Sequence, residues 1–277
     1  MHRRLLRRLS TTTVRRAAWV LIGLAFIGIV ASFVVRGGAA GADFEVYWVA
    51  TRTWLAGGDP YELPPDVLPY VYAPWGLPLF VPLALLPWDP AFVLWRSAIL
   101  VGLLLSLRWA ALRRPVSTAA VFAALAIPIG INLDTGNITL PLALAIFASR
   151  FGPPWIAGVT WGAASALKWA TLPVGIVLGP AARRWGLAAI GVGIGLSILL
   201  WPMTVAQLRT IAGLERPFPW DYLVLAWAAL PWLWTDPRRR RWLHPRTWAV
   251  QARTWIRDPA GRRGVRTGGA DTRGSSA

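Results

Sequence analysis

Apolar runs, interrupted by short arginine blocks and by proline or glycine, set the layout of this chain. Runs at 17–35, 91–111, 116–131, 138–149, 155–167, 172–182, 185–203 and 220–234 are predicted helices in or across a membrane, because crossing ~30 Å of hydrocarbon takes ~20 mainly apolar residues. Several are shorter than that, which predicts helices that stop inside the membrane and line a cavity. The stretch 74–87 is apolar but carries Pro74, Pro78, Pro82 and Pro87, and it is too short to cross. It reads as a re-entrant or interfacial hairpin. Ahead of it, Phe44, Tyr47, Trp48, Thr51 and Leu55 recur at helical spacing and predict the buried face of an interfacial helix. Asp59-Pro60-Tyr61 is a turn that ends it. The expected fold class is all-α: a polytopic membrane helix bundle of about eight spans (17–235), with a first external loop of juxtamembrane helices (37–90). Basic segments flank it at 1–16 and 236–277, and the second of these reads as a disordered or anionic-lipid-bound cytoplasmic tail.

Composition agrees with a membrane protein. Of 277 residues, 56% are hydrophobic and only 15% charged, with a mean hydropathy of +0.48, values outside the range of soluble domains. The net charge of +17 raises nucleic acid as a partner, but the arginines sit in blocks between apolar runs, which is topology signalling; no nucleic acid is expected. The 19 tryptophans suit an interfacial belt. The chain has no cysteine and only two histidines, His2 and His244. Disulfides and thiolate sites are excluded, a histidine-built metal site is not expected, and no cofactor is implied. The run 17–35 is long enough to span and no small-residue cleavage site follows, so it reads as an uncleaved anchor.

Charge selects among topologies. If 74–87 is re-entrant, 23 of the 29 basic residues face the cytoplasm with both termini, while Asp43, Glu45, Asp59, Glu62, Asp66, Asp89, Asp134, Glu215 and Asp221 face outward. If it crosses, Arg108, Arg113 and Arg114 move to the side of Asp43. The positive-inside rule chooses the first arrangement. It also gathers Asp43, the segment 134–137, Lys168 and the segment 209–221 on one external face.

Few residues there can carry chemistry. Asp43 precedes an apolar run and reads as a helix N-cap or as a base at the membrane surface. Glu45 is two residues on, about 160° away around a helix by simple geometry. Tyr47 lies one turn after Asp43 and is placed to contact a substrate or orient the carboxylate. Lys168 is the single lysine of the chain, set between two apolar segments. A lysine at membrane depth costs ~2.5–3.5 kcal/mol on insertion scales, which marks it as a functional candidate, with snorkelling to the interface as the alternative. Arg96, near the external start of its span, is a phosphate ligand or an interfacial anchor. Asn137 follows Gly136 just before a short helix, whose N-terminus favours an anion.

The pattern Asp43-Phe44-x-Val46-Tyr47 with Ala50, Leu55, Gly57, Pro60-Tyr61 and Tyr72-Ala73-Pro74 resembles the polyprenyl-phosphate-mannose-dependent mannosyltransferases, glycosyltransferase family 87. The resemblance covers about 41–184. It implies a first loop with juxtamembrane helices, then a bundle around an outward-facing cavity. It also implies that Asp43, the match of the family's first-loop aspartate, is the general base. Gly162 and Lys168 echo the context of a family lysine, which implies a ligand for the donor phosphate. Gly136-Asn137 stands where the family usually shows Gly-Gln. The implied activity is inverting transfer of a hexose, mannose above others, from a polyprenyl-phosphate donor to a lipid or glycan acceptor, on the external face of the plasma membrane. The alternatives are a non-catalytic lipid-linked-sugar binder or transporter, or a structural membrane protein; only the enzyme needs a base at Asp43.

Overall fold

A computed structural model describes residues 2–36, 41–214 and 220–235, and among these every regular element is helical. Residues 37–40 of the expected first loop, the expected outward Glu215 and the tail at 236–277 lie outside the described residues. The order is α1 (His2–Arg36), α2 (Ala42–Leu55), a 3-10 segment Pro74–Phe80, α3 (Val81–Ala84), α4 (Trp88–Arg113), α5 (Pro115–Ala124), α6 (Ala126–Thr135), α7 (Thr139–Ser149), α8 (Pro154–Leu167), a 3-10 segment Trp169–Val177, α9 (Pro180–Leu199), α10 (Trp201–Ala212), a 3-10 segment Trp220–Val224 and α11 (Leu225–Thr235). One compact unit comprises Met1–Trp232, and Leu233–Ala277 forms a second.

Among the described residues three helical stretches, Thr12–Ala31, Trp88–Arg113 and Pro180–Leu199, are long and apolar enough to cross a membrane. A fourth is added if α5 and α6, bent by 60°, are one broken span. Val20, Leu24 and Ile27 on α1, Val93, Val101 and Leu105 on α4, and Val192, Ile194 and Ile198 on α9 are all exposed. Apolar side chains turned outward in this way suit contact with lipid. The other apolar helices, Pro74–Ala84, Thr139–Ser149 and Tyr222–Thr235 among them, are shorter, so a count of eight rests on elements below spanning length.

Proline accounts for where the expected segments divide. Pro128 falls in the first turn of α6, where its ring would clash with the carbonyl four residues back had α5 run on; the chain bends at Leu125 instead. The expected helix 172–182 is a 3-10 segment around Pro173, then extended residues Leu178 and Gly179, then α9 opening on Pro180. The proline-rich stretch 74–87 likewise folds as a 3-10 turn and the four-residue α3.

Among the described residues, two buried clusters join the helices around the site. The first joins α2, the loop that follows it, the Pro74–Phe80 segment and the start of α7, through Phe44, Tyr47, Tyr70, Leu77, Phe80 and Ile138. The second joins α7, α8, the 169–177 segment, α9 and α11 through Ile146, Trp161, Val174, Leu178 and Trp232. On α2 the buried residues are Phe44, Val46, Tyr47, Ala50 and Thr51, with Trp48 half-buried. Leu55, expected on that face, is 48% exposed at the helix end.

Helices α8 and α9 pack backbone to backbone. A Cβ on Gly158 would collide with the Ala182 carbonyl, and one on Gly162 with the Gly186 carbonyl. Gly191, on the same α9, has open space around it. Gly162→Leu is therefore expected to separate the pair and destabilise the fold by ~1–3 kcal/mol or more, while Gly191→Leu is tolerated. Thermal melts of the two purified variants, read by loss of the monodisperse gel-filtration peak, check this.

Candidate active site

Lys168 is the residue around which the polar contacts converge. It is the C-cap of α8, in extended conformation (φ −140°, ψ 100°), between Leu167 of the first cluster and Ala170 of the second. Its side chain is buried at 6% exposure and does not snorkel. The ammonium donates to Thr139 Oγ1 at 2.6 Å, Asn137 Oδ1 at 3.1 Å and Tyr72 OH at 3.4 Å. It also lies 4.7 Å from the Tyr222 ring centre and 5.6 Å from that of Tyr72, within cation–π range.

The α6–α7 junction builds the floor of this site. Gly136 (φ 72°) ends α6 in the left-handed conformation that glycine adopts without strain, and the Asn137 N–H returns to the Asn132 carbonyl at 3.0 Å. A Cβ on Gly136 would stand 2.8 Å from Phe44 Cβ, so the same glycine lets α2 approach. Asn137 Oδ1 accepts from the Thr139 N–H at 2.9 Å and hydroxyl at 2.6 Å as well as from Lys168. That fixes which side of the amide faces the ammonium. The asparagine thus serves as turn-former and lysine ligand together.

Tyrosines link this site to α2. Tyr72 OH is 3.2 Å from Tyr47 OH, and Tyr47 OH accepts from the Ile138 N–H at 3.2 Å. Tyr61 OH donates to the Tyr72 carbonyl at 2.8 Å, and Tyr70 packs against both Tyr61 and Tyr72. All five tyrosines of the chain are therefore drawn into one group around Lys168. Burial, then the neighbouring Tyr72 and Asp43, push the Tyr47 phenol well above its usual range. Its hydroxyl stays protonated and lies between the Ile138 N–H and Tyr72 OH.

Asp43 opens this line of groups at its outer end. It sits in the first turn of α2, where a carboxylate is favoured by the helix dipole. The N-cap is Gly41 (φ 92°), with no side-chain cap, so the capping reading of Asp43 does not hold in this structure. Its side chain is half-buried, and among the described residues no hydrogen bond or ion pair restrains the carboxylate. Glu45 is half-buried as well and lies off the Asp43–Tyr47 face. Arg96 is turned to the end of α6: it donates to the Leu133 carbonyl at 3.2 Å and the Asp134 carbonyl at 2.9 Å, and pairs with Asp134 Oδ1 at 3.7 Å.

Of the residues singled out from the sequence, Tyr47, Asn137 and Lys168 belong to one hydrogen-bonded group, with Asp43 a helical turn from Tyr47. Thr139 and Tyr222 were not singled out, and Tyr72 only as part of a motif. A threonine two residues after Asn137 carries no sequence signal of its own. Tyr72 was the legible one, being a polar aromatic at the start of the proline-rich stretch.

The family model of glycosyltransferase family 87 matches residues 70–222, a stretch that holds Tyr72, Arg96, Asn137, Thr139 and Lys168, with Asp43 and Tyr47 ahead of it. A curated relative from Mycolicibacterium smegmatis (strain ATCC 700084 / mc(2)155), polyprenol-phosphate-mannose-dependent alpha-(1-2)-phosphatidylinositol pentamannoside mannosyltransferase, is 26% identical over 218 residues. The alignment covers 72% of this chain and 53% of the relative, so the chain spans about half the length of that protein. No solved structure matches. With more than half of its residues inside the family match, and with apolar helices of spanning length, the chain belongs to the membrane glycosyltransferases of family 87.

Proposed function

We infer that the protein transfers a hexose, mannose above others, from a polyprenyl-phosphate donor to a lipid or glycan acceptor, with inversion, at the external face of the plasma membrane. The observation that carries this reading is the line Asp43–Tyr47–Tyr72–Lys168, with a carboxylate that no described residue engages at one end and a buried ammonium at the other. The relative's dependence on polyprenol-phosphate-mannose supports the donor class.

In the proposed step the Asp43 carboxylate takes the proton of the acceptor hydroxyl as its oxygen attacks the anomeric carbon. The bond from that carbon to the phosphate oxygen breaks on the opposite face, and the polyprenyl phosphate leaves with one more negative charge. Lys168 holds that charge. Among the described residues the ammonium donates to three side-chain oxygens, and the contact to Tyr72 OH is the longest of them. A phosphate oxygen is expected to replace Tyr72 there, leaving Thr139 and Asn137 to keep the ammonium in place. Charge developing in the transition state is stabilised best by a group already oriented toward it. Neutral Tyr47 supports the line from the α2 side. Glu45 is proposed to contact the acceptor rather than the reacting oxygen.

The proposed topology has both termini cytoplasmic and Asp43 and Lys168 on the outer side. Because the chain lacks cysteine, single-cysteine reporters test it cleanly. A cysteine at Gly213 is expected to react with a membrane-impermeant maleimide in intact cells, and cysteines at Arg114 or Gly152 only after permeabilisation. Protection of the Gly213 reporter removes the single external face.

Asp43→Asn keeps the shape and removes basicity, so turnover with polyprenyl-phosphate-mannose and a glycolipid acceptor is expected to fall ~10²-fold or more. Donor binding and expression stay close to normal. Unchanged turnover in that variant returns the chain to the non-catalytic binder reading.

Lys168→Met deletes the charge while keeping the stem and is expected to lower kcat ~10–10³-fold per folded molecule. Lys168→Arg is expected to restore part of it, since a wide planar fork replaces a compact charge. Normal kcat in Lys168→Met, measured by radiolabel transfer, removes the phosphate role.

A further inference from the structure

The start of α2 hangs on the end of α6. The Gly41 N–H donates to the Asp134 carbonyl at 2.8 Å, two residues before Asp43. The same carbonyl accepts from Arg96 Nη2 at 2.9 Å, while Arg96 Nε holds the neighbouring Leu133 carbonyl at 3.2 Å. From the preceding residue of α4, Trp95 Nε1 donates to the Gly136 carbonyl at 2.8 Å. The last carbonyls of α6, which have no partner within the helix, are thus taken by α4 and by the first residue of the α2 turn.

Packing reinforces the same junction. The Arg96 guanidinium lies 4.4 Å from the Phe92 ring centre, and Phe92 stacks on Phe44 at 5.7 Å, next to Asp43 in the chain. Gly41 (φ 92°) leaves only 3.0 Å between a would-be Cβ and the Phe92 ring. Asp134 is 3% exposed and lies 3.7 Å from Arg96 through Oδ1, while its Oδ2 is buried with no hydrogen-bond partner. A pair of which only the carboxylate is buried, with one oxygen unmatched, contributes little to stability and more to holding one geometry.

We propose that Arg96 and Asp134 are positioning residues that set the place of the Asp43 carboxylate by clamping the start of α2 to the end of α6. Arg96 on this assignment contacts neither the donor phosphate nor the reacting atoms. The catalytic half of the proposal rests on the glycosyl-transfer reading above; the clamp itself does not.

The test uses the full chain in detergent and combines hydrogen exchange with kinetics. In Arg96→Met, amide exchange over residues 41–47 is expected to rise about tenfold or more while exchange over 154–167 is unchanged. With polyprenyl-phosphate-mannose as donor, kcat is expected to fall ~10–10²-fold with donor KM within about twofold, the pattern of a displaced catalytic group. Asp134→Asn is expected to show the same pattern more weakly, with its melting temperature at or above that of the unmodified chain. It also serves if Arg96→Met does not fold, as does Arg96→Lys, which retains part of the clamp. Unchanged exchange over 41–47 in every folded variant overturns the clamp. A raised donor KM at unchanged kcat and unchanged exchange overturns it in favour of phosphate binding by Arg96. Raised exchange with normal kcat overturns the positioning role. Absence of transfer by the unmodified chain counts against the glycosyl-transfer reading, and the exchange result then decides the clamp alone.

Discussion

Burying one ammonium is the constraint from which the rest of the arrangement follows. An amine cation taken out of water is tolerated only where its protons meet oxygens and its charge meets polarisable groups. Lys168 obtains these from distant parts of the chain: Tyr72 from the first loop, Asn137 and Thr139 from the α6–α7 junction, and Tyr222 from the segment before α11. Each of those segments must converge on the end of α8 for the charge to be accommodated. Loss of Tyr72, Asn137 or Thr139 takes an acceptor from the ammonium, and loss of Tyr222 takes a ring face from its charge.

Convergence at that density requires interrupted helices. Full-length spans would carry Lys168 and Asn137 in the middle of regular backbone, with neighbouring side chains already committed to i, i+4 packing. The left-handed Gly136 and the 3-10 segment that follows Lys168 instead end α6 and α8 next to the site. Free backbone groups and short polar side chains are then available beside the ammonium. Gly136 serves this twice, by closing α6 and by admitting Phe44 of α2.

The two carboxylates near this junction differ in surroundings and so in what they can do. Asp134 is buried and paired with Arg96, with one oxygen left unsatisfied, which suits a group that holds geometry. Asp43 is half-buried at a helix N-terminus, and among the described residues nothing engages its carboxylate, which is what the proposed role as base asks of it. Phe44, the residue after Asp43, stacks on Phe92 and Trp95 of α4.

Membrane character, the helical class and the helix bearing Asp43 and Tyr47 were legible in the sequence alone, and Lys168 stood out there as a single lysine in an apolar setting. Hydropathy, a single lysine in an apolar setting and helical spacing are local signals that need no partner to be read. Family membership was legible for the same reason, since its motif is local. Which residues meet Lys168, that it is buried rather than snorkelling, and that Arg96 turns to α6 carbonyls were decided by tertiary structure. Thr139 and Tyr222 lie 29 and 54 positions from the lysine, and Leu133 lies 37 from Arg96. Where an apolar run is cut by proline into half-helices, its hydropathy says that it is buried but not which way each half points. The direction comes only from the packing of Gly136 against Phe44 and from the need of one buried charge for oxygens.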